Sequence, residues 1–153
     1  MKQRFFICEH CGNMIAMVKD KGVPVMCCGQ KMTELIPGTS DGAVEKHVPV
    51  YKVESGKVVV TVGEVEHPMT AEHNIEWVSI QTKFGNQRKQ LEAGSAPKAC
   101  FAICEGDEVE AVFAYCNLHG LWKAYRQVSY VGKRNEGSRF CIEKSRRSGG
   151  QVI

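Results

Sequence analysis

The stretch CEHCGNMIAMVKDKGVPVMCCG, residues 8–29, decides how the N-terminal part of the chain folds. It holds two cysteine pairs, each followed by a glycine: Cys8, Cys11 and Gly12, then Cys27, Cys28 and Gly29. Two residues between the first two cysteines let both sulfurs turn towards one ion, and a glycine permits the tight turn that follows. Four thiolates suit a tetrahedral zinc or a single iron. Residues 1–36 bury little apolar area, so they need a staple such as a metal ion.

The adjacent pair Cys27-Cys28 is unusual, because structural zinc sites mostly use two Cys-x-x-Cys pairs. Two sulfurs leaving neighbouring residues should distort the tetrahedron, which favours a tuned redox iron, although a structural zinc knuckle stays open. A disulfide pairing is less favoured. Residues 1–7 offer too short an apolar run for an export signal, so a reducing, cytoplasmic compartment is expected. His10 is expected to be a surface residue.

The chain changes character on either side of a breaker-rich segment, residues 37–42. We predict a metal-binding domain over 1–36, a linker over 37–42, a second domain over 43–124 and a basic tail over 125–153. Short runs rich in valine, isoleucine and aromatic residues alternate with turn residues at 47–53, 57–65, 75–82, 99–104 and 111–116. This spacing predicts an antiparallel sandwich or barrel with no long helix. In run 75–82 we expect Ile75, Trp77 and Ser79 to share one face.

Four of the five histidines lie near turns or at the ends of these runs, and one cysteine ends the last run. They are His47, His67, His73, Cys116 and His119. Neutral imidazoles suit iron, copper or zinc, and a thiolate adds charge and softness. Each residue alone has an ordinary interpretation as a surface histidine or a core cysteine. The joint pattern nevertheless indicates a second metal site.

The chain resembles the desulfoferrodoxins, the two-iron form of superoxide reductase. The strings that carry the resemblance over residues 5 to about 124 follow in chain order: Cys-x-x-Cys with Cys-Cys, Glu-Lys-His-Val-Pro, His-Pro-Met, Glu-His-x-Ile-x-Trp and Cys-Asn-x-His-Gly. The resemblance implies a mainly β chain, in which a small desulforedoxin-like domain precedes an immunoglobulin-like antiparallel sandwich. It also implies a homodimer with two mononuclear irons per chain, although zinc stays open at the cysteine site.

The resemblance also implies roles for individual residues. Cys8, Cys11, Cys27 and Cys28 would hold the first iron. For the second iron, the four imidazoles would be equatorial and Cys116 axial, leaving one position open for superoxide. Glu45 and Lys46 adjoin His47: Glu45 would cap the ferric iron, while Lys46 would attract the anionic substrate and assist proton delivery. Electrons would come from a rubredoxin-like or flavin-dependent donor. The product would be hydrogen peroxide without release of oxygen.

Net charge and composition limit the alternatives. The net charge is +3, but residues 125–153 carry seven basic and two acidic side chains, so the rest of the chain carries −2. Such a tail can bind nucleic acid, although a solvated tail is the more common role and nucleic acid is an unlikely partner. No apolar run is long enough for a membrane span. Two other functions stay open, a non-catalytic electron carrier whose second site is saturated by Glu45 and a zinc-braced binding module.

Overall fold

The computed structural model describes residues 2–125 and shows a mainly β chain. The N-terminal strands are short: β1 (Arg4–Ile7), β2 (Met14–Met17), β3 (Met26–Cys27), β4 (Gln30–Lys31) and β5 (Thr33–Glu34). A single helical turn, α1 (Val44–His47), separates them from the longer strands. Those are β6 (Pro49–Glu54), β7 (Lys57–Val62), β8 (Ile75–Thr82), β9 (Asn86–Gln90), β10 (Lys98–Ala102), β11 (Val109–Cys116) and β12 (Gly120–Tyr125).

The N-terminal unit consists of an antiparallel sheet in the order β2-β1-β5 and the hairpin β3-β4. Its own core is small, with Phe6, Cys8 and Met32 as the buried members. A cluster of this size contributes only a few kcal/mol of hydrophobic stabilisation, at about 25 cal/mol per Å² of buried apolar surface. The unit therefore depends on further cross-links, as the sequence indicated.

The longer strands form two antiparallel sheets, ordered β10-β7-β6 and β12-β11-β8-β9, that pack face to face. Strand β7 alternates strictly, with Val58, Val60 and Val62 fully buried. Phe101 from β10 and Val112 from β11 complete the same core. This arrangement confirms the expected mainly β class and the antiparallel sandwich.

Strand β8 differs from the expected pattern because a β-bulge interrupts it. Tyr115 pairs with Trp77, but the next residue, Cys116, pairs with Ile75, so Glu76 has no partner on β11. The extra residue moves Ile75 to the inner core, while Trp77 points to the outer face of the sheet. The prediction that Ile75, Trp77 and Ser79 share one face was therefore wrong.

The outer face of the sandwich packs against the N-terminal unit. Phe5 of β1 lies 4.8 Å from the ring centroid of Trp77 and 5.4 Å from that of Phe113. Tyr115 and Leu121 belong to the same buried cluster. Strand β1 thus packs against strands β8, β11 and β12 through a second, largely aromatic cluster that is separate from the inner core of the sandwich.

Most strand predictions were close. Run 75–82 coincides with β8, whereas His47 lies in α1 and β6 begins at Pro49. Cys100 and Cys104 are expected from the sequence to be core or strand residues. Cys100 lies on strand β10, as expected, whereas Cys104 lies beyond that strand, and both side chains are exposed. The domain boundaries stay a prediction. Residues 126–153, which include Cys141 and most of the predicted basic tail, lie outside the part of the chain that the structure describes. Within residues 2–125, no helix is long and apolar enough to cross a membrane.

Candidate metal centres

The structure brings together the cysteines of the first predicted site. The sulfurs of Cys8, Cys11, Cys27 and Cys28 all lie within 4.8 Å of one another. Cys11 and Cys27 are 3.7 Å apart, and Cys27 and Cys28 are 4.0 Å apart. Sulfurs bound tetrahedrally at 2.3 Å would lie about 3.8 Å apart. The four thiols therefore fit one zinc or iron ion.

A tight hairpin explains how two adjacent cysteines serve one site. Cys27 ends β3, and Cys28 and Gly29 form the two-residue connection to β4 with φ values of +50° and +75°. Two consecutive positive φ values are typical of a type I′ turn, in which glycine is favoured at the second position. The turn rotates Cys28 relative to Cys27, and this rotation brings its sulfur to within 4.0 Å of the neighbouring one.

The thiols of this site influence one another's ionisation. The backbone N–H of Cys11 lowers the pKa of Cys8 to about 6, while the Cys11 side chain raises the pKa of Cys28 to about 12. Four crowded sulfurs cannot all ionise without a counter-charge. A bound cation removes this restriction, which is consistent with a metal-thiolate site.

The second site is a ring of four imidazoles. Going round the ring His47, His67, His73, His119 and back to His47, neighbouring centroids are 4.6, 4.6, 4.9 and 4.7 Å apart and each pair is roughly perpendicular. His47 and His73 face each other across the ring at 6.1 Å. The rings thus surround one point as four equatorial ligands would.

The thiol of Cys116 lies on the core side of this ring. Cys116 is fully buried among the sandwich residues, and its sulfur is 3.6 Å from Nδ1 of His119. The candidate ligand atoms of Cys116, His47, His67 and His73 lie within 4.8 Å of one another. The Cys116 sulfur thus occupies the core side of the ring. The opposite side of the ring faces away from the core, so the site is open on its outer face.

Separate elements place the five side chains. His47 ends α1, His67 follows the turn after β7, and His73 comes just before β8. Cys116 ends β11, and His119 lies in the turn that leads to β12. The amide of Asn117 joins two of these places, donating to the Glu72 carbonyl at 2.9 Å and accepting from the Asn74 N–H at 3.0 Å.

The hydrogen bonds of the rings select which nitrogen faces the centre. Nδ1 of His47 lies 2.8 Å from the Ala43 carbonyl, and Nδ1 of His67 lies 2.6 Å from the Pro68 carbonyl. A carbonyl partner fixes the proton on Nδ1 and leaves Nε2 as a lone-pair donor, the usual support of a metal-bound histidine. Among residues 2–125, Nε2 of His67 and Nε2 of His73 are buried and have no hydrogen-bond partner.

Buried polar atoms seldom lack a partner, so these nitrogens call for a ligand. Nε2 of His47 and Nδ1 of His119 are 3.0 Å apart. Two nitrogens bound at right angles to one ion at about 2.1 Å would have this separation. The residues therefore fit a mononuclear metal ion, and together with the cysteine site they fit two iron centres.

Burial favours the neutral form of three of the four imidazoles. It lowers the pKa of His67 to about 4 and also lowers the pKa of His47 and of His73. Neutral imidazole is the form that binds metal, so protons compete little at neutral pH. Burial raises the pKa of the Cys116 thiol, and a nearby cation would be needed to ionise it.

Glu45 and Lys46 lie on the exposed surface of α1, immediately before His47. The positive charge of Lys46 contributes to lowering the pKa of both His47 and His73, so the lysine lies near the ring. The backbone here is held tightly: the N–H of Val65 donates to the Glu45 carbonyl at 3.0 Å. A Cβ atom at Gly63 would lie 2.5 Å from the Lys46 carbonyl oxygen.

Sequence reasoning missed three residues beside the ring. Trp122 stacks on His47, with ring centroids 4.8 Å apart, and Ser40 donates to the His119 carbonyl. Gly42 packs against both Trp122 and His47. No spacing rule connects positions 40, 42 and 122, because only the folded sandwich brings them together.

Proteins of a known family are similar in sequence to this chain. The family model described as Desulfoferrodoxin matches residues 39–125. The desulfoferrodoxin of Nitratidesulfovibrio vulgaris is 46% identical over 117 residues, which cover 76% of this chain and 91% of that protein. A desulfoferrodoxin homologue of Archaeoglobus fulgidus is 44% identical over 117 residues, covering 76% and 92%.

A solved structure agrees over the same extent. The crystal structure of the superoxide reductase from Treponema pallidum matches with a TM-score of 0.70 at 38% identity. The match covers 81% of this chain and 99% of that one. The expected resemblance is thus confirmed over both the cysteine unit and the sandwich.

Proposed function

Because the chain belongs to the desulfoferrodoxin family, we propose that it is a superoxide reductase whose reaction site is the imidazole ring with Cys116. One superoxide, one electron and two protons would give one hydrogen peroxide, with no oxygen released. The observation that carries the proposal is the ring itself: four imidazoles surround one point, and the buried Nε2 atoms of His67 and His73 have no hydrogen-bond partner within the described part of the chain.

Iron bound by these residues would supply the electron and, because five donors leave one of six positions free, a place for the substrate. Cys116 is fully buried on the core side of the ring, so the free position faces outward. The burial of Cys116 keeps water from its sulfur, and a thiolate in this position donates electron density to the metal. The half-buried rings of His73 and His119 leave the outer side accessible to a small anion.

We propose that Lys46 attracts superoxide to this face and assists proton delivery. Its ammonium group is exposed, and its charge acts on two imidazoles of the ring. A fixed positive charge beside an open site raises the encounter rate of an anion. Glu45, the preceding residue, is proposed to close the open position after turnover with its carboxylate.

The cysteine site is proposed to hold the second iron of the chain, with zinc as the alternative ion. Cys11 and Cys28 are exposed, so an iron there would lie near the surface, where a rubredoxin-like or flavin-dependent donor has access. We further propose that the protein is a cytoplasmic homodimer that detoxifies superoxide. Its two proposed domains span residues 1–36 and 43–124.

The test is the product stoichiometry of the pre-reduced protein mixed rapidly with superoxide. A reductase forms one hydrogen peroxide for each superoxide consumed and releases no oxygen. A dismutase would form half as much peroxide and release oxygen. An electron carrier saturated by Glu45 would react slowly, and a zinc-braced binding module would not react at all. Any of these three results would contradict the proposal.

A further inference from the structure

We propose that Trp122 and residues 38–42 form one positioning element for two neighbouring imidazoles of the ring, those of His47 and His119. This role rests on the proposed function, since it presupposes that both imidazoles bind a metal ion. It assigns a specific task to a segment that the sequence presents only as a linker.

The first contact is between Trp122 and His47. Their rings are stacked at 4.8 Å with an angle of 24° between the planes. Trp122 is 3% exposed and His47 is 2% exposed, so neither ring has room to turn away. The indole therefore determines the tilt of the His47 imidazole about its Cβ–Cγ bond. The Ala43 carbonyl, which lies 2.8 Å from Nδ1, fixes the remaining direction.

The second contact is with the backbone of His119. Nε1 of Trp122 donates to the His119 carbonyl oxygen at 2.9 Å, and the hydroxyl of Ser40 donates to the same oxygen. One carbonyl held by two donors fixes the peptide plane from which the imidazole projects. Nδ1 of that imidazole lies 3.6 Å from the Cys116 sulfur and 3.0 Å from Nε2 of His47. One side chain, Trp122, thus supports two adjacent ligands.

The third contact ties the segment to Trp122. The N–H of Gly38 donates to the Leu121 carbonyl at 2.8 Å, which attaches the segment to the start of β12. At Gly42 a Cβ atom would lie 2.7 Å from Cζ2 of Trp122 and 3.2 Å from Cε1 of His47. A methyl group at this position must displace the indole or the imidazole.

The ring is supported differently on its far side. His67 is held through the Pro68 carbonyl, and the peptide of His73 is held by Thr70, whose N–H donates to the His73 carbonyl at 2.9 Å. Disturbing Trp122 should therefore shift two of the four imidazoles and leave the other two in place. Such outer partners of metal ligands change metal affinity by about 10- to 100-fold when they are lost.

The test compares metal retention and visible spectra of the full-length chain purified with its iron. Iron is withdrawn by a competing chelator, and the cysteine site of the same molecule serves as the internal reference. Trp122→Leu is expected to weaken retention at the histidine site by about 10- to 100-fold and to shift its thiolate-to-iron absorption. Trp122→Phe keeps the stacking but loses the N–H donor, so a smaller loss is expected.

Gly42→Ala tests the same element without removing any group, and Gly85→Ala is its matched control. Both glycines have φ values outside the left-handed region, but a Cβ at Gly85 meets nothing within 4 Å. We expect Gly42→Ala to shift the spectrum of the histidine site and Gly85→Ala to leave it unchanged. If Trp122→Leu does not fold, Trp122→Phe and Gly42→Ala still decide the question.

Two results would overturn the role of Trp122. In one, the variants lower the melting temperature but leave affinity and spectrum of the histidine site as in the wild type. In the other, both metal sites weaken equally. Because superoxide is not used, a wild-type protein that holds iron but does not reduce superoxide would contradict the proposed function alone.

Discussion

The cysteine site takes its ligands from residues 8–28, whereas the histidine site takes its ligands from residues 47–119. The first lies on two tight turns beside a core of three buried side chains, and Cys11 and Cys28 are exposed. The second lies against a sandwich core with Cys116 at its base. We therefore expect a bound metal to contribute most to folding at the first site, whereas at the second site the sandwich core already places the side chains.

The electrostatics of the two sites agree with this difference. At the cysteine site the backbone N–H of Cys11 lowers the pKa of Cys8 to about 6, whereas the Cys11 side chain raises the pKa of Cys28 to about 12. At the histidine site burial lowers the pKa of three imidazoles, that of His67 to about 4, and so favours their neutral form. At both sites the thiols must lose protons when a metal binds, but three imidazoles of the second site already favour their neutral form.

The largest expected effect comes from the base of the histidine site. Cys116→Ser removes the sulfur while keeping the side-chain size, and it should slow the reaction of pre-reduced protein with superoxide by more than about 100-fold. The sandwich should remain folded, because Cys116 is one of many buried core residues. Pulse radiolysis measures the rate and near-ultraviolet circular dichroism the fold. A variant that reacts at the wild-type rate would show that Cys116 is a plain core cysteine.

Cys28→Ser is the reciprocal experiment on the other site. It should abolish metal binding at the cysteine site and expose the N-terminal amides to hydrogen exchange, while β7, β8 and β11 stay protected. The single-turnover rate of pre-reduced protein with superoxide should stay unchanged. If amide hydrogen exchange instead increased equally in the sandwich strands, the N-terminal unit and the sandwich would not be independent in stability.

The sequence predicted the first region more completely than the second, for a physical reason. Cys-x-x-Cys and Cys-Cys with following glycines are local patterns, so spacing alone suggests one ion. The ring of imidazoles depends on strands that are distant in sequence, and only the joint motif pattern indicated it. The bulge at Glu76 and the stacking of Trp122 on His47 arise from packing and leave no periodic signal. Helix α1 is one turn, too short for a detectable period.

A moderate effect is expected at the outer face of the histidine site. Lys46→Ala should lower the second-order rate with superoxide by roughly tenfold at low salt and flatten its dependence on ionic strength. Lys57→Ala is the matched control, since Lys57 is an exposed lysine at the start of β7 outside the proposed site. An equal effect of both substitutions would indicate that the net charge of the protein, and not the position of Lys46, sets the rate. That result would contradict steering by Lys46.

The smallest effect is expected from the ion pairs of the N-terminal unit. Arg4 binds the Glu34 carboxylate through two nitrogens and also contacts Asp20. The Arg4 guanidinium lowers the pKa of Glu34 below its ordinary value. Since the pair is partly exposed, Glu34→Gln should cost about 0.5–1 kcal/mol in the free energy of unfolding.

The pH dependence of this cost follows from the lowered pKa. Glu34 is ionised in both folded and unfolded chains above about pH 5, so the cost should stay constant from pH 8 to pH 5. It should shrink only as the pH falls further, through the lowered pKa of the folded state. Chemical unfolding at several pH values measures it. A cost that already declines between pH 7 and 6 would contradict the ion pair.

The most direct measurement is the metal content of each site in protein purified without oxygen, determined on the wild type, Cys28→Ser and Cys116→Ser. Two metal ions per wild-type chain are expected, with iron at the histidine site. Cys28→Ser should remove the ion of the cysteine site alone and leave the iron of the histidine site. A wild-type chain with zinc only, from a host supplied with ample iron, would contradict the two-site redox account. So would a Cys28→Ser chain that loses both ions together.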